Sequence, residues 1–180
     1  MLRFCKSLLI PFTLCFVLFS CYVDKDPYLV FDRGAYENNL KKWTKLECDN
    51  YSFSYTVQND STGPHTNVFT VTVTDGNSTY TVKDADGNEL DPLTVECDFP
   101  TVEYLFDKIE EIRADDQAFL DTNPSGIVCY ELECEYDKKT GIPESFSNSL
   151  WSTGLYTSGS YKVTVTDINV PDEYLENADD

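Results

Sequence analysis

Four carboxylates at every second position are the residues in this chain best placed to do chemistry together. Residues 126–146 read GIVCYELECEYDKKTGIPESF, so Glu131, Glu133, Glu135 and Asp137 alternate with Tyr130, Leu132, Cys134 and Tyr136. Side chains two apart in a strand share a face, which sets an acidic stripe against an apolar one. Like charges about 7 Å apart repel weakly and are screened by salt. One use of such a stripe is to keep a sheet soluble and discourage edge pairing. Another is to dock a basic protein or a cationic ligand. A third is acid–base work by two of the carboxylates, as in a hydrolase, which needs a separation that spacing alone does not supply.

Aromatic residues offer a second surface. Trp151, Tyr156 and Tyr161 stand among Ser, Thr and Gly over 147–161. Rigid rings on a polar loop give contact area at low ordering cost, although rings at strand ends also serve to cover a core. Nucleophilic catalysis has little to build on. His65 is the one histidine, beside Gly63-Pro64, so a Ser-His or Cys-His pair would have to be assembled around it. Residues 84–91, DADGNELD, begin like a calcium loop, but Glu89 and Val95 occupy the places where an EF-hand needs Gly and Glu. An Asp-Gly turn is expected there. Neither a metal nor a cofactor is implied.

Cys48, Cys97, Cys129 and Cys134 lack the paired spacing of a zinc site. As strand neighbours, Cys129 and Cys134 would be about 16 Å apart, beyond a disulfide's reach. Cys48 and Cys97 both flank expected helices, and a single bridge between them is the preferred pairing for an exported protein.

Export is what the N-terminus points to. Arg3 and Lys6 precede an apolar run over 7–19 that is short for a membrane span. Leu18-Phe19-Ser20-Cys21 then resembles a bacterial lipobox, in which the Cys is lipidated and becomes the mature N-terminus. Residues 1–20 are thus expected to be a lipoprotein signal peptide and 21–34 a tether. The expected address is extracytoplasmic, anchored to a cell membrane or outer membrane through lipid on Cys21. With 13 basic against 32 acidic residues the net charge is −19, which removes nucleic acid as a partner because phosphate binding relies on Lys and Arg. The carboxylate alternative becomes, at this address, a cell-envelope hydrolase.

The elements that must position these residues follow from periodicity. A helix is expected over 35–47, with Tyr36, Leu40, Trp43 and Leu46 on one side. Alternation predicts strands over 51–57, 67–74 and 78–83, with a short one over 93–97. A helix opens at Thr101, its expected N-cap, and carries Val102, Leu105, Phe106, Ile109 and Ile112 on one face. The 126–146 hairpin follows, its turn built by Asp137 and Gly141, and a last strand covers 161–169. The fold class is α+β: a single domain over 35–170, a mainly antiparallel sheet of about five to six strands, and two helices on one face. An acidic tail, 171–180, is expected to fray.

Several of these landmarks resemble the domain-of-unknown-function 6174 family, which is largely bacterial and lipoprotein. Its early Trp corresponds to Trp43, its Tyr-rich strand to Tyr51 through Tyr55, its T-V-x-x-L-F-x-x-I helix to Thr101 through Ile109, and its Y-D-x-x-x-G-x-P turn to Tyr136 through Pro143. The family's C-x-C pair is absent, and its acidic stretch after the hairpin is replaced by residues 147–160. The resemblance brings no established activity.

Overall fold

Alternation and turn chemistry lay the strands down in one sheet. The computed structural model describes residues 28–59, 66–124, 127–152 and 155–176. In order they form β1 (Tyr28–Val30), α1 (Arg33–Lys45), β2 (Tyr51–Gln58), β3 (Val68–Thr74), β4 (Asn77–Lys83) and β5 (Glu89–Leu90). There follow α2 (Val102–Asp121), β6 (Ile127–Tyr136), β7 (Pro143–Ser152), β8 (Leu155–Asn169) and α3 (Asp172–Leu175). The strands lie in the order β1-β6-β7-β8-β2-β3-β4-β5, antiparallel throughout except for β1 against β6.

Two of the hairpins are set by local backbone chemistry. Between β3 and β4, Asp75 and Gly76 both take positive φ, 50° and 72°, the turn whose twist matches its strands. Between β6 and β7, one oxygen of Asp137 accepts from Lys139 N–H, Thr140 N–H and Thr140 Oγ1. Gly141 follows at φ 78°, and a Cβ there would stand 2.5 Å from the Asn39 carbonyl oxygen of α1. Lys42 of α1 donates to the Lys138 carbonyl, so the helix lies directly on this turn.

Aromatic side chains fill the space between sheet and helices. Phe53, Tyr55, Phe106 and Phe146 are fully buried with Leu105, Ile109 and Ile142. Trp43 meets Tyr51 edge-on at 5.0 Å, while Tyr55 stacks on Phe69 at 4.8 Å. The helical faces read from sequence are the buried ones: Tyr36, Trp43 and Leu46 in and after α1, and Val102 to Ile109 in α2. α1 begins at Arg33, two residues before the expected start, because Asp32 caps it by accepting from Ala35 N–H.

The sheet has eight strands, more than the five to six expected. β1 falls in the stretch assigned to the tether; Tyr-Leu-Val has no alternation and becomes a strand only by pairing with Cys129–Glu131. The strand expected over 93–97 is absent. Asp91 Oδ1 accepts from Leu93 N–H, and this side-chain turn takes the place of a ladder and leaves Leu93 in solvent. β5 forms at Glu89–Leu90 instead. β7 continues the return strand of the hairpin to Ser152 and β8 begins at Leu155, so the polar loop read over 147–161 is mostly strand. In the tail, α3 is tied down by Tyr174, whose hydroxyl donates to Asp49 and accepts from Asn50.

Replacing Gly141 with Ala tests the hairpin–α1 contact. Left-handed backbone costs a non-glycine residue roughly 1–2 kcal/mol, and the Cβ clash with Asn39 adds to it. Urea denaturation should show a loss of at least ~2 kcal/mol; a loss under ~0.5 kcal/mol would mean that α1 moves off the turn at little cost.

Candidate binding face

With α1 and α2 on one side, the other side of the sheet is left to polar residues. On β6, Glu133 and Glu135 are exposed and Glu131 is half-buried. Their register partners on β7 are Ser149, Ser147 and Ser145, opposite Glu131, Glu133 and Glu135 respectively. One strand further in, Ser147 meets Lys162 and Ser145 meets Thr164. The result is a flat face of carboxylates and hydroxyls with a single nearby ammonium. A cleft of about 480 Å³ opens onto it, lined on its outer rim by Val30, Phe31, Asp32 and Ala35.

The structure brings together three of the four stripe carboxylates and, of the three candidate aromatics, Trp151, while Tyr161 packs against Phe146 of the core. Trp151, 44% exposed, donates from Nε1 to Glu131 at 3.3 Å, and Ser145 donates to Glu135 at 3.2 Å. Tyr156 is the register partner of Trp151, and its side chain lies outside the described residues. Asp137 leaves the stripe. Burial alone would raise its carboxyl, but the Thr140 and Lys139 donors of the turn hold it below the usual carboxylate range. Its role is the hairpin. Cys21 and His65 also lie outside the described residues.

Cys48, Cys97, Cys129 and Cys134 are all free, so the bridge expected between Cys48 and Cys97 is not formed. Each of those two thiols has its own neighbour: the Asn50 carbonyl for Cys48, the Tyr55 hydroxyl for Cys97. Burial raises all four thiols, Cys134 to about 11. A nucleophilic cysteine needs the opposite shift. The 84–91 segment is the expected turn, with Asp84 Oδ1 accepting from Asp86 and Asn88 N–H and Gly87 at φ 86°.

Two carboxyls are raised among the described residues, and neither contributes to the other's shift. Asp98 is raised by burial and then by Glu96. Asp116, 7% exposed on α2, is pushed up to about 6 by burial, against one hydrogen bond from Asn148 at 3.3 Å. Asp116 Oδ2 and Asn148 Oδ1 are both buried without a partner. Sequence reasoning missed this pair, although Ile109, Ile112, Asp116 and Leu120 follow helical spacing. A carboxylate on an apolar stripe was the available signal.

The sign of its effect on stability is fixed. A carboxyl near 3.8 when unfolded and about 6 when folded holds its proton longer in the native state. Its contribution is complete below pH 3.8 and is lost as pH rises through 6, a change of roughly 3 kcal/mol. Asp116→Asn keeps the shape and cannot ionise. Denaturation between pH 4 and pH 8, approximate limits that bracket both values, should show the variant gaining on wild type as pH rises. A constant difference would place the ionised carboxylate in a solvated setting.

The helix-opening and turn motifs noted in the sequence are all part of this architecture, in α1, β2, α2 and the β6–β7 hairpin. No curated protein matches the chain. Residues 35–149, more than half of its length, match a family of unknown function, and the chain belongs to that family, DUF6174.

Proposed function

We infer that this is a non-catalytic, lipid-anchored extracytoplasmic binding domain whose acidic outer face takes a basic protein or cationic ligand. The observation that carries it is the alignment of Glu131, Glu133 and Glu135 at a cleft on the sheet face that no helix covers among the described residues. Trp151 at the end of that row adds a rigid, part-exposed ring of the kind that anchors interfaces. The core makes no demand for three aligned carboxylates there. Serines or threonines, as on the neighbouring strands, would keep the face wet without the repulsion.

The address rests on Leu18-Phe19-Ser20-Cys21 and on the basic n-region before it. Tyr28, the first strand residue, follows Cys21 by seven positions, a length that spans at most about 24 Å when extended. The domain would therefore sit close to the bilayer surface, held by the acyl chains. Its acidic surface keeps it off anionic headgroups. No helix among the described residues is long and apolar enough to cross a membrane.

Two experiments test the two halves. Mass spectrometry of the mature N-terminus should find a lipid-modified Cys21, and Cys21→Ser should release the protein from membranes; an unmodified N-terminus elsewhere rejects the anchor. Oligolysine should bind the purified domain with an affinity that falls as salt rises. The triple variant Glu131→Lys, Glu133→Lys, Glu135→Lys should keep its circular dichroism and lose that binding. Unchanged binding rejects the acidic face.

A further inference from the structure

The outer edge of β6 is only partly covered. β1 pairs with Cys129, Tyr130 and Glu131 and then turns away into α1. From Leu132 to Tyr136 no strand lies on that side of β6 among the described residues. Over these five residues, about 16 Å of strand, the N–H and C=O groups that point away from β7 have no strand partner among the described residues, and the 480 Å³ cleft runs along them. Open edges of this kind are templates for another strand.

We propose that an extended peptide alternating basic and small apolar residues adds to β6 along Leu132–Tyr136. Two features of the edge select that occupant. The outward side chains are Glu133 and Glu135 with Glu131 at the end, so residues of an incoming strand on that face would have Cβ atoms about 5 Å from those of the glutamates. The other face belongs to Leu132, Cys134 and Tyr136, with Phe31 and Ala35 across the cleft, so alternate residues would meet apolar surface. A second copy of the chain is disfavoured at the same edge, because its own β6 would bring Glu against Glu. The charges that block self-pairing are thus the charges that admit a cationic strand.

This deepens the acidic-face proposal and rests on it. The mature chain would be titrated with three peptides of equal charge: alternating Lys-Val, the same residues with the alternation broken, and the alternating peptide N-methylated at alternate backbone positions. Strand addition predicts at least ~10-fold tighter binding of the first than of either other, as loss of one or two net hydrogen bonds implies. It also predicts slowed hydrogen exchange at Leu132–Tyr136 with the first peptide alone. Glu133→Lys with Glu135→Lys should turn the preference to alternating Glu-Val. Equal binding of the three peptides overturns strand addition and leaves the electrostatic face intact. Binding of none overturns both.

Discussion

A buried helix start sets the terms for this fold. The first N–H groups of a helix have no partner within it, and leaving them dry and unpaired costs about as much as a lost hydrogen bond. α2 opens over the sheet, among core aromatics, and the sheet itself supplies what is missing. The Tyr51 hydroxyl accepts from Val102 N–H, and the Tyr55 hydroxyl accepts from Phe99 N–H just before the helix. Trp43 of α1 donates to Glu103 in the first turn at 2.7 Å, where a carboxylate also meets the positive end of the helix dipole. One strand and one helix are thereby tied to the same end of α2. The rings bring apolar surface and a polar tip together, which is why tyrosine and tryptophan suit this place.

The middle of α1 is fixed by a different device. Gly141 lets the hairpin turn come against the Asn39 carbonyl, and Lys42 reaches the Lys138 carbonyl beside it. Both helices are then committed to one face of the sheet, and no helix packs on the other face among the described residues. Residues there can vary in charge without disturbing the core. The acidic row of β6 stands on that face.

Most of the sheet was legible in the chain because its signals are local. Alternation in β6 separates Glu131, Glu133 and Glu135 from Leu132 and Cys134, and the helical stripes of α1 and α2 name their buried residues. Features that depend on distant partners were not legible. Thr101 occupies the N-cap position of α2 but makes no capping bond; a tyrosine about fifty positions upstream takes over part of that work. β1 is too short to carry a period and exists through its partner. The Cys48–Cys97 pairing was inferred from flanking position, which says nothing of where two thiols point. The cleft was also beyond reach, since it needs β1 to stop where it does. Asp116 is the exception, a local signal that was present and passed over.

Most residues of the motifs noted in the sequence are explained by these same contacts and their immediate neighbours. Trp43, Tyr51, Tyr55 and Glu103 form the helix-start junction, and Asp137, Gly141 and Ile142 form the turn on which α1 rests. Tyr136, which opens the turn motif, also borders the outer cleft. A motif made of fold-determining residues identifies an architecture and is silent about its use. In this chain the use must be sought among residues the fold does not require. Glu133 and Glu135 meet that condition best: both are exposed, their alignment with Glu131 costs repulsion, and no strand lies beside them on the outer edge among the described residues.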